Sequence, residues 1–185
     1  KMVIRDGPPR ELSEGLSVGQ HDMILSQLPL PEEDVRVQNL YREPLALAVP
    51  REHPLAKRKV VSPSDLAGES IITLSTSYAM SRQIAAFSQN AGAVLRDDFE
   101  GTSLDAMRQM VSLGMGITLL PALYVQSEVN PIDGDVVTLA MRPVQMRTIG
   151  LAWRVSSGQP PAFLKIGSFI RQIVKEQFSD IVAVT

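Results

Sequence analysis

The 185-residue chain balances 18 Lys and Arg against 20 Asp and Glu, a formal charge of −2, with 44% hydrophobic and 21% charged residues. That composition fits a soluble globular protein of one or two cores and excludes a fragment that grips DNA unaided, which would need an excess of Lys and Arg against phosphate. With no Cys there is neither a disulfide framework nor a thiolate metal site, and no apolar run reaches the ~18 residues of a membrane span.

The opening KMVIRDGPPR lacks a signal-peptide pattern and reads as the middle of a strand, so an upstream start and a cytoplasmic location are expected. Met2–Ile4 is a brief strand, and Gly7-Pro8-Pro9 turns into a helix through Leu12 and Leu16 that Gly19 closes. The near-continuous apolar run His21–Leu28 predicts a strand covered on both faces. Val35–Val37 and Leu45–Val49 read as two further strands separated by a turn at Tyr41–Pro44, followed by the basic loop Arg51–Lys59 and a capped turn at Ser64-Asp65-Leu66.

A second set then begins. Ser70–Leu74 is a strand, and Met80–Asn90 is a helix with Met80, Ile84 and Phe87 inward, ending at Gly92. Val94–Phe99 is strand-like. Thr102–Leu113 is the clearest helix: Leu104, Met107, Met110 and Val111 share a face, Ser103 suits the N-cap, and Asp105 complements the dipole. Gly114-Met115-Gly116 ends it before a buried strand, Ile117–Leu120. Val136–Met141 and Thr148–Trp153 are strands, and Gln159–Phe178 is a long amphipathic helix. Strands alternating with helices predict an α/β fold with largely parallel sheets, in two lobes joined by a double crossover. Ligands in such folds bind between the lobes, at the carboxyl ends of strands.

Catalytic and metal constellations are absent from the sequence. His21 and His53 have no metal-ligand spacing, and adjacent Asp97 and Asp98 on a strand face opposite ways and cannot share an ion. Gly114-Met115-Gly116 follows a helix, whereas a phosphate loop precedes one. There is no GxSxG, P-loop or HExxH, Lys57-Arg58-Lys59 is too short for a nucleic-acid footprint, and no cofactor is expected.

Three segments together resemble the LysR-type transcriptional regulators: YREPLALAVPREHPLA at Tyr41–Ala56, DLAGE at Asp65–Glu69, and GTSLDAMRQMVSLGMGITLLP at Gly101–Pro121; the tail from RTIGLAWR continues the match. The resemblance covers nearly the whole chain. It implies an effector-binding domain of periplasmic-binding-protein type II architecture, two Rossmann-like lobes, with a helix-turn-helix lying outside this chain. Lobe I would comprise residues 1–49 and 154–185, lacking its first strand and helix, and lobe II residues 50–153. A small polar or anionic effector would contact Gly7, Pro8, Pro9 and Gln27 of lobe I and Ser75, Thr76, Ser77, Thr102 and Ser103 of lobe II. Hydroxyls and helix N-termini favour negative charge there, although for Ser77 and Ser103, each taken alone, helix capping ranks ahead of ligand contact, and one residue can do both.

The segment Gly101–Leu123 is most similar to the peroxide-sensing OxyR branch, whose redox-active cysteine positions correspond to Ala79 and Ser88. Without thiols neither sulfenic acid nor disulfide can form there. Either this relative responds to a small molecule or the cysteines were replaced by engineering; two changes at once favour the former. The resemblance further implies no enzymatic activity, a homodimer through the sensor domain, a tetramer at full length, DNA contact only through the missing N-terminal part, and no membrane. The face bearing Met107 and Met110 is a candidate for subunit contact, lobe packing being its alternative. A solute-binding protein of the same architecture is the rival reading, and an enzyme on this fold a weaker third.

Overall fold

The computed structural model describes residues 2–31 and 33–185, and its contacts divide the chain into two compact units. Unit 1 comprises residues 1–42, 77–79 and 148–185; unit 2 comprises 43–76 and 80–147. Along β2 and β8 the chain passes between units at Arg42/Glu43 and Arg147/Thr148, with two further passages around residues 77–79, whereas the resemblance implies lobe bounds at 49/50 and 153/154.

In unit 1, helix α1 (Pro9–Ser17) starts at a proline, which needs no amide partner there. Strand β1 (Ile24–Leu28) pairs antiparallel with the later part of β8 (Gln145–Arg154). The first part of β2 (Val35–Pro50) pairs antiparallel with β9 (Ala183–Val184), while α5 (Pro161–Gln177) supplies the long helix. Leu16, Ile24 and Ala152 form one core cluster; Leu40, Leu151 and Trp153 form another, covered by Phe163, Ile166 and Ile170 of α5. The rings of Trp153 and Phe163 meet edge to face at 5.9 Å.

Unit 2 holds the later part of β2, which pairs antiparallel with β6 (Thr118–Pro121) and β7 (Val136–Met141); β3 (Val60–Val61) runs parallel to β7. A parallel pair, β4 (Ser70–Leu74) and β5 (Val94–Gly101), is connected by α2 (Ala79–Ala91). Helix α3 (Leu104–Ser112) leads from β5 toward β6, and α4 (Ala122–Glu128) follows β6. Met80, Ile84 and Phe87 of α2 and Met107 and Val111 of α3 are buried, as the helical spacing required. Gly92 and Gly114 end α2 and α3 with φ of +67° and +76°, the left-handed conformation that glycine adopts without strain.

Five expectations need correction. The sheets are mixed, with antiparallel pairing along β2 and β8, because apolar periodicity carries no strand direction and the two crossover strands run against the βαβ elements. Val35–Val37 and Leu45–Val49 belong to one 16-residue strand; Glu43, inside the expected turn Tyr41–Pro44, and Leu40 just before it are fully buried. Met2–Ile4 forms no strand and its side chains are exposed. Among the described residues β1 pairs only with β8, and it is part-exposed, not covered on both faces. Met107 is 2% exposed and packs within unit 2, so of the face offered for subunit contact only Met110, half-buried, remains.

Candidate functional site

Ser75, Thr76, Thr102 and Ser103 meet at one end of the parallel pair in unit 2. Leu74 of β4 lies in register with Gly101 of β5, and the Ser75 amide donates to the Gly101 carbonyl at 3.0 Å. The loop after β4 is thereby fastened to the entrance of α3. Such a strand-end position is where open α/β units bind ligands, because loops there are free of the sheet and helix N–H groups point outward. Ser103 is exposed and its Oγ accepts from the Ala106 amide at 3.1 Å, which makes it the N-cap of α3. Thr76 and Thr102 are exposed as well.

Gly101 permits this approach. A Cβ there would fall 2.7 Å from Met107 Cγ and 3.5 Å from the Thr73 carbonyl. Thr73 itself is 7% exposed, and its Oγ1 finds no hydrogen-bond partner among the described residues. Sequence reasoning missed Thr73 because a threonine within an apolar strand reads as ordinary β-propensity.

The remaining candidates lie in unit 1. Pro8 is the N-cap of α1 and its carbonyl accepts from the Leu12 amide at 3.1 Å; Gly7 precedes it and Pro9 opens the helix. Gln27 is half-buried in β1 opposite Ile149. Ser77 and Ala79 cluster with this unit although α2 continues into the other. Ser88, by contrast, is 1% exposed, and its Oγ donates to the Ala93 carbonyl at 3.2 Å, closing the turn after α2.

The two histidines have structural partners. His53 Nδ1 accepts from the Leu55 amide at 3.2 Å while its Nε2 faces Glu69 at 3.3 Å, and the His21 ring packs on Gly15. Arg58 pairs with Asp65 in the basic loop. The turn Pro63–Leu66 is capped by Ser62; Asp65 is held below the usual carboxylate range chiefly by the Ser62 hydroxyl and amide, with Arg58 adding less. Asp98 pairs with Arg96, whereas the side chains of Asp97 and Glu100 lie outside the described residues. Among the described residues no three His, Cys, Asp or Glu gather as a metal site, and no helix is long and apolar enough to cross a membrane.

The polar groups that sequence reasoning missed also lie in unit 2, Glu43 buried and the others nearer the surface. Glu43 is 0% exposed. Its Oε1 accepts from Arg147 Nε at 2.7 Å and Nη2 at 2.6 Å, and its Oε2 from the Leu123 amide at 3.2 Å. Tyr124, the next residue of α4, donates to Asp105 Oδ1 at 2.6 Å and accepts from Arg108 Nε at 3.2 Å; Arg108 also pairs with Asp135. Burial first, and the Asp105 carboxylate second, push the Tyr124 phenol up to about 12.

A family profile described as the LysR substrate binding domain matches residues 1–175. The DNA-binding transcriptional dual regulator OxyR of Escherichia coli is 33% identical over 181 residues, covering 98% of this chain and 59% of that protein. The hydrogen peroxide-inducible genes activator of Pectobacterium carotovorum is 35% identical over 173 residues, covering 93% of this chain and 57% of its own length. The chain thus spans less than two thirds of these relatives. The crystal structure of the oxidized form of OxyR superposes with a TM-score of 0.83 at 35% identity, covering 96% of this chain and 84% of that one. A Synechocystis CcmR regulatory domain in complex with 2-PG, at 18% identity and a TM-score of 0.76, shares the fold, with 90% of this chain and 80% of that one covered. The α/β architecture of periplasmic-binding-protein type II kind expected from the sequence is borne out.

Proposed function

The chain belongs to the LysR substrate binding domain family, and we propose that it senses a small polar or anionic effector for an OxyR-like transcription regulator. The observation that carries this reading is the junction of Ser75 with Gly101–Ser103, where strand ends and the opening of a nine-residue helix converge. A helix N-terminus favours a negatively charged or carbonyl-bearing guest, and the Thr73, Thr102 and Ser75 hydroxyls supply neutral hydrogen bonds. Within unit 1, Gly7, Pro8, Pro9, Gln27 and Ser77 are assigned separately as further positions for effector contact. Thiol-based peroxide sensing has no place in this chain, which carries Ala79 and Ser88 and no Cys at all.

In this reading the domain is not an enzyme. It acts in the cytoplasm as part of a homodimer, tetrameric at full length, and reaches DNA only through a separate N-terminal module. The effector must bind one arrangement of the subunits better than another, since equal affinity shifts nothing. A thermal-shift screen of small carboxylates and metabolites tests the assignment. A true effector raises the melting temperature, and Thr102→Val or Ser77→Ala removes the shift. Retention of the full response by both variants would sink the site assignment, and turnover of the bound compound would sink the non-enzymatic reading.

A further inference from the structure

The opening of α3 and the ends of unit 2 on β2 and β8 are linked by a series of polar contacts with one step along the backbone of α4. It begins at Asp105, in the first turn of α3 and two residues from the Ser103 cap. Asp105 accepts from the Tyr124 hydroxyl at 2.6 Å. Leu123, the neighbour of Tyr124 on α4, gives its amide to Glu43 Oε2 at 3.2 Å. Glu43 in turn grips Arg147 at 2.6 Å. Glu43 is the first residue of unit 2 on β2, and Arg147 is its last residue on β8. Glu43 and Arg147 are 104 residues apart in sequence, so the ion pair clasps both crossover strands at once.

Helix α4 is the link, and its construction suits that part. It spans seven residues, its N-cap is Pro121, and no side chain of its own first turn caps it. A helix this short has little stability of its own. Glu43 substitutes for the missing cap from another element, and Tyr124 fixes the same turn to α3. Whatever moves the first turn of α3 therefore pulls on adjacent residues of α4, one of which ends on a fully buried carboxylate. In a low-dielectric interior such charged hydrogen bonds are stiff and costly to leave unmade.

We propose that Asp105, Tyr124, α4 and the Glu43–Arg147 pair form a coupling relay that carries the state of the α3 entrance to the crossover strands. Its regulatory meaning rests on the effector site proposed above; the mechanical coupling does not. Tyr124 and Glu43 are positioning residues in this scheme, acting on the crossovers through Arg147.

Hydrogen exchange on the whole chain, without any ligand, tests the relay by itself. Wild type and Tyr124→Phe are compared by NMR at the Leu123 amide and at the Arg147 side-chain Nε–H, neither of which touches the deleted hydroxyl. A working relay exchanges about fivefold faster or more at both, the lower end of ordinary intersite coupling. Because coupling is reciprocal, Glu43→Gln then accelerates exchange at Asp105 and Ala106. Acceleration confined to the first turn of α3 and Tyr124 itself overturns the proposal. Uniform acceleration through β4 and β5 overturns it too, since that is general loosening. Should Glu43→Gln fail to fold, Tyr124→Phe decides alone. A missing thermal shift with every effector tried, beside a positive exchange result, would discard the site and leave the relay standing.

Discussion

The two units hold distant elements together by different means. In unit 1 the fastenings are steric and backbone-directed. Gln38 of β2 lies against Gly167 of α5, Trp153 stacks edge-on with Phe163, and Arg154 donates to the carbonyls of Leu16 and His21 at 2.5 and 2.8 Å. In unit 2 the corresponding fastenings are charged: Glu43 with Arg147, and Asp105 with Tyr124 and Arg108. A shape contact fails when volume is added, a buried ion pair when one member is removed.

The largest expected effect is at Glu43. Glu43→Ala leaves the Arg147 guanidinium, 18% exposed, without its counter-charge, and single removal from a buried pair costs about 3–5 kcal/mol. Urea unfolding should show that loss, while Glu43→Leu combined with Arg147→Leu recovers much of it, because two apolar groups leave no charge stranded. A loss under ~1 kcal/mol for Glu43→Ala would place this carboxylate among surface pairs and erase the contrast between units.

Gly167→Ala is the matching change in unit 1. The added methyl falls inside the closest approach to the Gln38 side-chain amide, the movable end of that side chain, and the gain of about 1 kcal/mol for Ala over Gly within a helix offsets part of the crowding, so the net loss is about 1 kcal/mol or less. Shortening Gln38 to Ala in the same chain should restore stability, since the obstruction is the side chain that β2 presents. If the single variant melts as wild type does, α5 is not held by this contact.

These two contacts also mark the limit of sequence reading. Helices α2 and α3 were legible because each pairs an apolar stripe with a glycine stop, and both signals are local. Ser103 was legible as a cap for the same reason. Glu43 was not. It sits between Arg42 and Pro44 in a segment that looks like a polar turn, and its partners stand 80 and 104 residues away. Helix α4 was missed because Pro121 reads as the end of a strand and the following seven residues, without a cap of their own, carry no start signal. The mixed strand directions were hidden since periodicity records which face is buried and not which way the strand runs.

Ser103→Ala comes next in size. Its Oγ satisfies the Ala106 amide from an exposed position, so the loss is about 1 kcal/mol, with Ser103→Asp close to wild type. Measured against the thermal-shift response to an effector, this variant separates two duties of one residue. Lower stability with an intact response assigns Ser103 to capping alone; loss of the response in the stable Ser103→Asp variant assigns it to the ligand too.

The smallest effect at neutral pH is at Tyr124, where Tyr124→Phe forfeits one hydrogen bond, roughly 0.5–1.5 kcal/mol, and the pH dependence is the more telling readout. In the folded chain the phenol stays protonated up to about 12, against an ordinary value of 10.0, because burial and the Asp105 carboxylate both oppose a second negative charge. A folded value above the unfolded one means that the folded state binds the proton more tightly. The stabilisation is then full below pH 10 and is lost as pH rises through about 12. Tyrosinate absorbance should show a late-titrating phenol in the wild type that Tyr124→Phe removes, and the variant should lose less stability across that interval. Asp105→Asn sharpens the result: if the late phenol moves back toward the ordinary range while the fold persists, the carboxylate on α3 governs the hydroxyl on α4, which is the contact that the contrast between a charged unit and a sterically packed one requires.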